Sequence, residues 1–460
     1  MPAWVLNWLN KLRSSLWLIP TCMAIAAIFL SLAVPYLDAF YSPKKIDSLQ
    51  WLSNMGPEGA MTLLSTIAGS MITIAGVVFS ITIVALTLAS GQFGPRLLGN
   101  FLRDRGNQIV LGTFVATFLY CLLVLRTIHV DPNGYTPYWG TLMGLILAVC
   151  SLGVLIYFMH HIAVSIQAPN LIAAVYEELE EDLTRLFPEQ LGKEEEKKEN
   201  GKGNNIPQLM DRIEREGLEI RAEIGGYLQA VENNALMEIA RAQNLLIFLH
   251  YRPGHFISKG ASLAKIVALG PMADFLSQQI NKQMICGAHR TQEQDIEFSV
   301  LQLVEVAVRA LSPGINDPFT CINCIDHLSA ILCQLCQRKF PSPYRYDSEG
   351  VLRVIAPPVT FEGVLNAAFN QIRQHGKENV AILICLLEGL GRIGETVKRN
   401  EDREAIRRHV DMLQRGSRES IQEIHDLEAV EDRCRQVMAM LSNGENRSSL
   451  LMDKMSNILP

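Results

Sequence analysis

The sequence predicts an α-helical multi-pass membrane domain with four spans, followed by a cytosolic α+β domain that has a small β-barrel-like part and a helical part. Three observations carry that expectation. Four long apolar runs without Asp, Glu, Lys or Arg lie in the first third of the 460 residues. All five tryptophans (Trp4, Trp8, Trp17, Trp51 and Trp139) fall in the same third. Residues 1–161 carry 8 basic and 5 acidic side chains, a net of +3, and the rest of the chain carries a net of −9. The whole chain is 49% hydrophobic and only 19% charged, against about 25% in an ordinary soluble protein. That balance excludes a disordered chain and a small disulfide scaffold. A net charge of −6 argues against a general nucleic-acid binder, so no nucleic-acid partner is expected.

The runs cover 16–37, 61–90, 109–125 and 138–159. A spanning helix needs about 20 apolar residues, and buried soluble helices of that length rarely lack charge altogether. The first run follows Lys11 and Arg13, as a signal peptide would, but its 22 residues exceed an h-region of about 7–15. It therefore reads as a retained helix. The second run would be about 45 Å long, more than a hydrocarbon core of about 30 Å, so it must tilt, bend or project. Lys11, Arg13, Arg96, Arg103 and Arg105 fall on one side of the spans, which places both termini in the cytoplasm of a cell whose inner (plasma) membrane holds the protein. Seven of the ten cysteines, from Cys286 onward, would then face a reducing compartment.

The second span is the unusual one. Ser65, Gly69, Thr73, Gly76, Ser80 and Thr87 recur at spacings of three, four or seven and make a small, weakly polar stripe along one helix face. Small residues let helix backbones approach closely in lipid, so close helix packing is the leading explanation. A permeation path lined by hydroxyls in an oligomer is the sharper one. No span holds an ionisable Asp, Glu, Lys or Arg, which disfavours a pump, a proton relay or a voltage sensor. Arg96, Arg103 and Arg105 form a basic cluster at the membrane boundary, read as an anchor to anionic lipid. His160 and His161 close the fourth span as interfacial residues, because neighbours on a helix point about 100° apart and do not converge on a metal.

The expected organisation is a transmembrane domain over 1–165 and an amphipathic helix with a charged linker over 166–206. A small β-rich domain follows over 207–290, then a helical cytosolic domain over 291–441 and a flexible tail over 442–460. In the amphipathic helix, Leu171, Val175, Leu179, Leu183 and Leu186 recur on one face and Asn170 reads as its N-cap. Short strands are predicted at 224–231 and 245–250, with a turn at Arg252-Pro253-Gly254. Ser312-Pro313-Gly314-Ile315-Asn316-Asp317-Pro318 reads as a helix stop and turn, with Asp317 and Pro318 opening the next helix. Arg290, Asp295, Arg309, Asn316 and Asp317 form a candidate cytosolic polar cluster for an anion or a partner loop, although capping and ion pairing account for most such groupings. Cys321, Cys324, Cys333 and Cys336 imitate a zinc signature, but the intervening residues read as continuous helix, so core packing is expected and no metal or cofactor.

Several of these segments carry a resemblance. Arg290-Thr-x-x-Gln294-Asp295-x-x-Phe298 and Arg309-Ala310-Leu311-Ser312-Pro313-Gly314-Ile315-Asn316-Asp317-Pro318 are similar to the signature of a bacterial family of predicted membrane proteins, domain of unknown function 2254. Gly94-Pro95-Arg96-Leu97-Leu98, Gly226-Tyr227 and Pro253-Gly254-x-Phe256 resemble other parts of it. The resemblance implies four spans and a soluble C-terminal region, and brings no reaction or ligand with it. The chain contains no P-loop, no His-Glu-x-x-His and no Gly-x-Ser-x-Gly, and no carboxylate pair at a spacing that demands acid–base work. The functional expectation is a non-enzymatic homo-oligomer in the lipid bilayer, channel-like and gated by its cytosolic domain. The alternative is a membrane-anchored scaffold or sensor whose cytosolic domain binds a partner protein or a small anion.

Overall fold

The computed structural model describes residues 17–40, 55–94, 104–129, 136–187, 206–268 and 275–456. They fall into two compact units that meet in sequence between Leu171 and Ile172.

The first unit is helical: α1 (Leu18–Phe40), α2 (Pro57–Phe93), α3 (Arg105–Leu125) and α4 (Tyr138–Ser165). Helices α2, α3 and α4 are long and apolar enough to cross a membrane, and α1 is apolar over Leu18–Val34. At 37 residues α2 is about 55 Å long, further beyond a hydrocarbon core than its charge-free run alone implied. Pro57 opens α2 in its first turn, where a missing N–H costs nothing. Helix α3 packs against all three others, and Val110, Phe114, Tyr120, Cys121 and Val124 are buried in the shared core with Leu64, Met71 and Val78 of α2. At Gly112 an added Cβ would stand 2.6 Å from Met23 Sδ, so glycine permits the close approach of α1. Two buried pairs of polar groups are satisfied internally: Tyr120 donates to the Gly140 carbonyl (3.0 Å) and Thr117 pairs with Ser151 (3.1 Å).

The second unit contains most of α5 (Ala168–Leu186), then α6 (Ile206–Glu216), β1 (Leu218–Arg221), β2 (Gly226–Val231), α7 (Asn233–Ala242), β3 (Leu245–Leu249), β4 (Phe256–Ile257), β5 (Ser262–Ala268), α8 (Leu276–Lys282) and β6 (Met284–Gly287). It continues with α9 (Ile296–Ala310), α10 (Pro318–Leu335), β7 (Tyr344–Tyr346), β8 (Leu352–Ile355), α11 (Phe361–His375), α12 (Val380–Thr396), α13 (Asn400–Ser420) and α14 (Ile424–Ser456). In place of one small barrel the strands form two sheets, β1-β5-β3-β8-β7 and β4-β2-β6. Strands β7 and β8 come from beyond residue 290, and β8 pairs in parallel with β3 (Ile247 opposite Val354), so the β-rich segment is completed by a strand pair from the helical one.

Local signals held where they were local. Asp295, Asp317, Thr360 and Asn379 each cap a helix by accepting from the backbone N–H three residues on. Helix α5 buries Val175, Leu179 and Leu183 as its periodicity predicts. It starts at Ala168, however, so Asn170 lies inside the first turn and not at the N-cap; Pro169 is tolerated there because first-turn N–H groups have no helical partner. The segment expected to be a flexible tail continues α14 to Ser456. The charged linker at 191–205 lies outside the described residues.

Candidate functional site

The stripe on α2 turns away from its own bundle. Ala60, Leu64, Ile67, Ala68, Met71, Ala75 and Val78 form the buried face, while Ser65, Gly69, Thr73, Gly76, Ser80 and Thr87 are all exposed. Nothing lies within 4 Å of a Cβ built on Gly69 or Gly76. Among the described residues, the small residues of the stripe therefore pack against no other helix. Ser65, Thr73 and Thr87 donate to carbonyls of their own helix (Thr62, Gly69 and Ile83, at 2.9, 2.9 and 2.8 Å), which leaves their oxygen lone pairs outward.

At one end of this unit, Asp104 caps α3 through Gly106 N–H (2.8 Å) and bonds His161 of α4 (2.6 Å), whose ring stacks on Tyr157. Arg105 follows as the exposed first residue of α3. Arg96 and Arg103, the other members of the expected basic cluster, lie outside the described residues. His161 thus ties two helix ends together.

In the second unit the structure divides the expected polar cluster in two. Arg290 and Asp295 meet at the start of α9, with Arg290 Nε 2.8 Å from the buried Asp295 carboxylate. Arg309 lies near the other end of that 15-residue helix, about 20 Å away along its axis, where it faces Glu305 (3.6 Å). Asn316 is exposed in a left-handed conformation (φ +48°), and Asp317 holds Thr320 through backbone and hydroxyl.

The first group gains members that the sequence reading did not select. The turn after β3 brings Arg252 to Glu297 (2.6 Å) and sets Gly254 directly against the Arg290–Asp295 pair. Gly254 has φ +95°; its N–H donates to the Leu228 carbonyl and Leu228 N–H donates to that of His255, so the turn is locked onto β2. An added Cβ there would stand 2.3 Å from Asp295 Oδ2. Burial pushes the Asp295 carboxyl up, against the pull of Arg290. His255 is held below the usual imidazole range by burial and then by Arg252. Gln294 completes the join, exchanging two hydrogen bonds with the Val231 backbone (3.1 and 3.2 Å). Two guanidinium groups matched to two carboxylates make a charge-balanced latch that joins the turns after β3 and β6 to the start of α9. The signal available in sequence was Pro253-Gly254 itself, a turn whose glycine the local backbone requires.

A second buried pair was also missed. Arg353 on β8 meets Asp347 (2.8 Å) and Asn244 (2.7 Å), both charged residues being nearly inaccessible. Cys321, Cys324 and Cys336 are buried along α10 and Cys333 is half-buried. Burial lifts the Cys321 thiol to about 12 and that of Cys324 well above its ordinary value, which keeps both neutral. Among the described residues no three His, Cys, Asp or Glu side chains stand together as a metal would require.

A bundle of apolar helices followed by an α+β unit organised by buried ion pairs defines a membrane protein with a substantial C-terminal α+β unit. More particularly, the chain belongs to the family described as predicted membrane protein (DUF2254), whose model matches residues 13–392. It is similar to the uncharacterized protein Rv1290c of Mycobacterium tuberculosis and to the uncharacterized protein Mb1321c of Mycobacterium bovis. Each is 32% identical over 418 residues, spanning 89% of this chain and 77% of the relative. No solved structure matches the chain.

Proposed function

We propose that this is a non-enzymatic protein of the bacterial inner membrane with four spans and cytoplasmic termini. Its copies meet along the small-residue face of α2 to build a channel-like homo-oligomer that the soluble unit gates. The observation that carries the reading is the outward stripe: six small residues are exposed on the helix whose opposite face is packed, and in lipid such a face gains most from a second small face. Outward hydroxyl oxygens suit it to line a polar path when several copies surround an axis.

Cysteines introduced at Ser65, Thr73 and Ser80, with the exposed membrane residues Cys22 and Cys150 changed to Ser, should cross-link between copies in native membranes. Cysteines at Leu64, Ala75 and Val78 should not. Gly76→Leu should lower the cross-linked fraction about tenfold, and the unchanged protein in liposomes should pass ions or small solutes. Cross-linking at neither set, or equally at both, would remove the assembly. Cross-linking without flux would leave the membrane-anchored scaffold as the reading. That alternative has its own support in the exposed apolar pair Ile315 (43%) and Phe319 (81%) beside Asn316, a surface suited to a partner protein. Phe319→Asp should abolish partner capture if that surface is used.

A further inference from the structure

The arginines of α13 are nearly all matched. Arg408 meets Glu362 (2.6 Å), Arg418 meets Glu431 (2.6 Å), and Arg403 bonds Asn400 (3.0 Å) and the Val397 carbonyl (3.2 Å). Arg373, in the last turn of α11, differs from them. Its Nε is buried without a hydrogen-bond partner, as are Arg399 Nη2 and Arg403 Nε; but Arg399 pairs with Asp402 and Arg403 keeps its two other bonds, whereas no carboxylate pairs with Arg373 among the described residues. An unmatched buried donor on a charged group costs about 1–3 kcal/mol or more, so a reason for it is needed.

That reason is an open cavity of about 290 Å³ between α11, α12 and α13, which Arg373 lines together with Lys377, Leu383, Met412, Gly416 and Ser420. Glu419 is the one carboxylate on its wall, against the two cations. Burial, followed by another cation, Arg415, holds the Arg373 guanidinium below its ordinary range. His409, on the same helix as Arg415, is likewise pushed down to about 4 by burial, Arg373 and Arg408. The region therefore carries a standing positive potential over a partly apolar floor, with Leu383 and Leu413 buried beneath it.

We infer that this cavity is a binding site for a small organic oxyanion, phosphoryl or carboxylate, with Arg373 as the principal ligand and Lys377 as the second. A guanidinium offers a planar fork that matches either group in bidentate fashion, and Lys377 adds a point charge. The volume exceeds what a bare inorganic ion would fill and approaches the lower end of small-molecule pockets, at about 300 Å³. The apolar floor suits a short carbon skeleton. Half of the wall comes from α13, beyond the residues 13–392 matched by the family model, so the site is argued for this chain alone. It stands independently of any assembly through α2.

The test is calorimetric titration of the full chain, in nanodiscs of phosphatidylcholine alone, with glycerol 3-phosphate, succinate and inorganic phosphate. At least one organic probe should bind saturably at or below about 1 mM, more tightly than inorganic phosphate. Arg373→Gln should weaken it at least tenfold, the loss expected for a charge-assisted hydrogen bond of about 1.5–3 kcal/mol. Glu419→Gln, an exposed change that folding tolerates, should strengthen binding about threefold by removing the opposing charge. Repeating the titration in nanodiscs containing phosphatidylglycerol separates the sources: loss of the free-phosphate signal there marks a lipid headgroup as the occupant, and its persistence marks a soluble ligand. Absence of saturable binding by every probe up to about 10 mM, or equal affinity in the parent and the Arg373 and Glu419 variants, would overturn the site.

Discussion

Replacing Gly254 by alanine will destabilise the soluble unit by about 4 kcal/mol, the sum of a left-handed backbone strain of about 1–3 kcal/mol and partial rupture of a buried ion pair. The φ of +95° disfavours any side chain, and the new Cβ would be 2.3 Å from Asp295 Oδ2 and 2.9 Å from an Arg290 guanidinium nitrogen. Neither group can move cheaply. Asp295 is 2% exposed and also caps α9 through Phe298 N–H, while Arg290 lies over the Phe298 ring at 5.9 Å. Gly260→Ala is the control, because Gly260 has a similar φ of +84° with nothing within 4 Å of the added Cβ. It should cost only about 1–2 kcal/mol, the strain alone. Pulse proteolysis in urea, following release of soluble-unit fragments from the full chain, measures both. Equal losses in the two variants would show that the latch contributes nothing beyond backbone geometry.

A comparable effect is expected from acid through His409. Its imidazole is 2% exposed, donates one hydrogen bond from Nε2 to Asn366 Oδ1 (2.9 Å), and packs edge-on to Phe369. Burial, followed by Arg373 and Arg408, lowers its folded pKa to about 4 from an unfolded value of 6.5. A depressed folded value means that the unfolded chain binds the extra proton first. The contribution is therefore complete above about pH 6.5 and is lost as pH falls toward 4, by about 3 kcal/mol at 1.36 kcal/mol per unit. The raised carboxyls of Asp295 and Asp402 act oppositely, favouring the folded state as they take up protons at the acid end of the same window. The readout is accordingly a difference: urea midpoints of the parent should fall between pH 6.5 and 4.5 more steeply than those of His409→Gln. Parallel pH profiles would remove His409 as the acid-sensitive group.

Both predictions rest on neighbours that are distant in sequence, and that marks the limit of what residue order revealed. Contiguous apolar runs announced α2, α3 and α4 because hydrocarbon demands a property that every local window displays. The helix cap at Asp317 was equally legible, since a cap bonds a backbone N–H only three residues away. The joining of β8 to β3 was not, because Ile247 and Val354 share a ladder across more than a hundred residues, and no periodicity names a strand's partner. For the same reason the five polar residues grouped from adjacent motifs separated to the two ends of α9, while Arg252 and Glu297 arrived from different elements to complete one of the groups.

The sequence by itself determined which segments are apolar and long enough to cross a membrane, where most helices begin, and that the second span carries a small polar face. Only the tertiary structure decided that this face is turned away from its own bundle, that the glycine of one turn guards a buried ion pair, and that Arg373 opens on a cavity with no carboxylate paired to it. Solvent preference and capping are written in short stretches of chain. Which charges meet, and which are left without a partner, depends on packing between elements that the chain order does not place side by side.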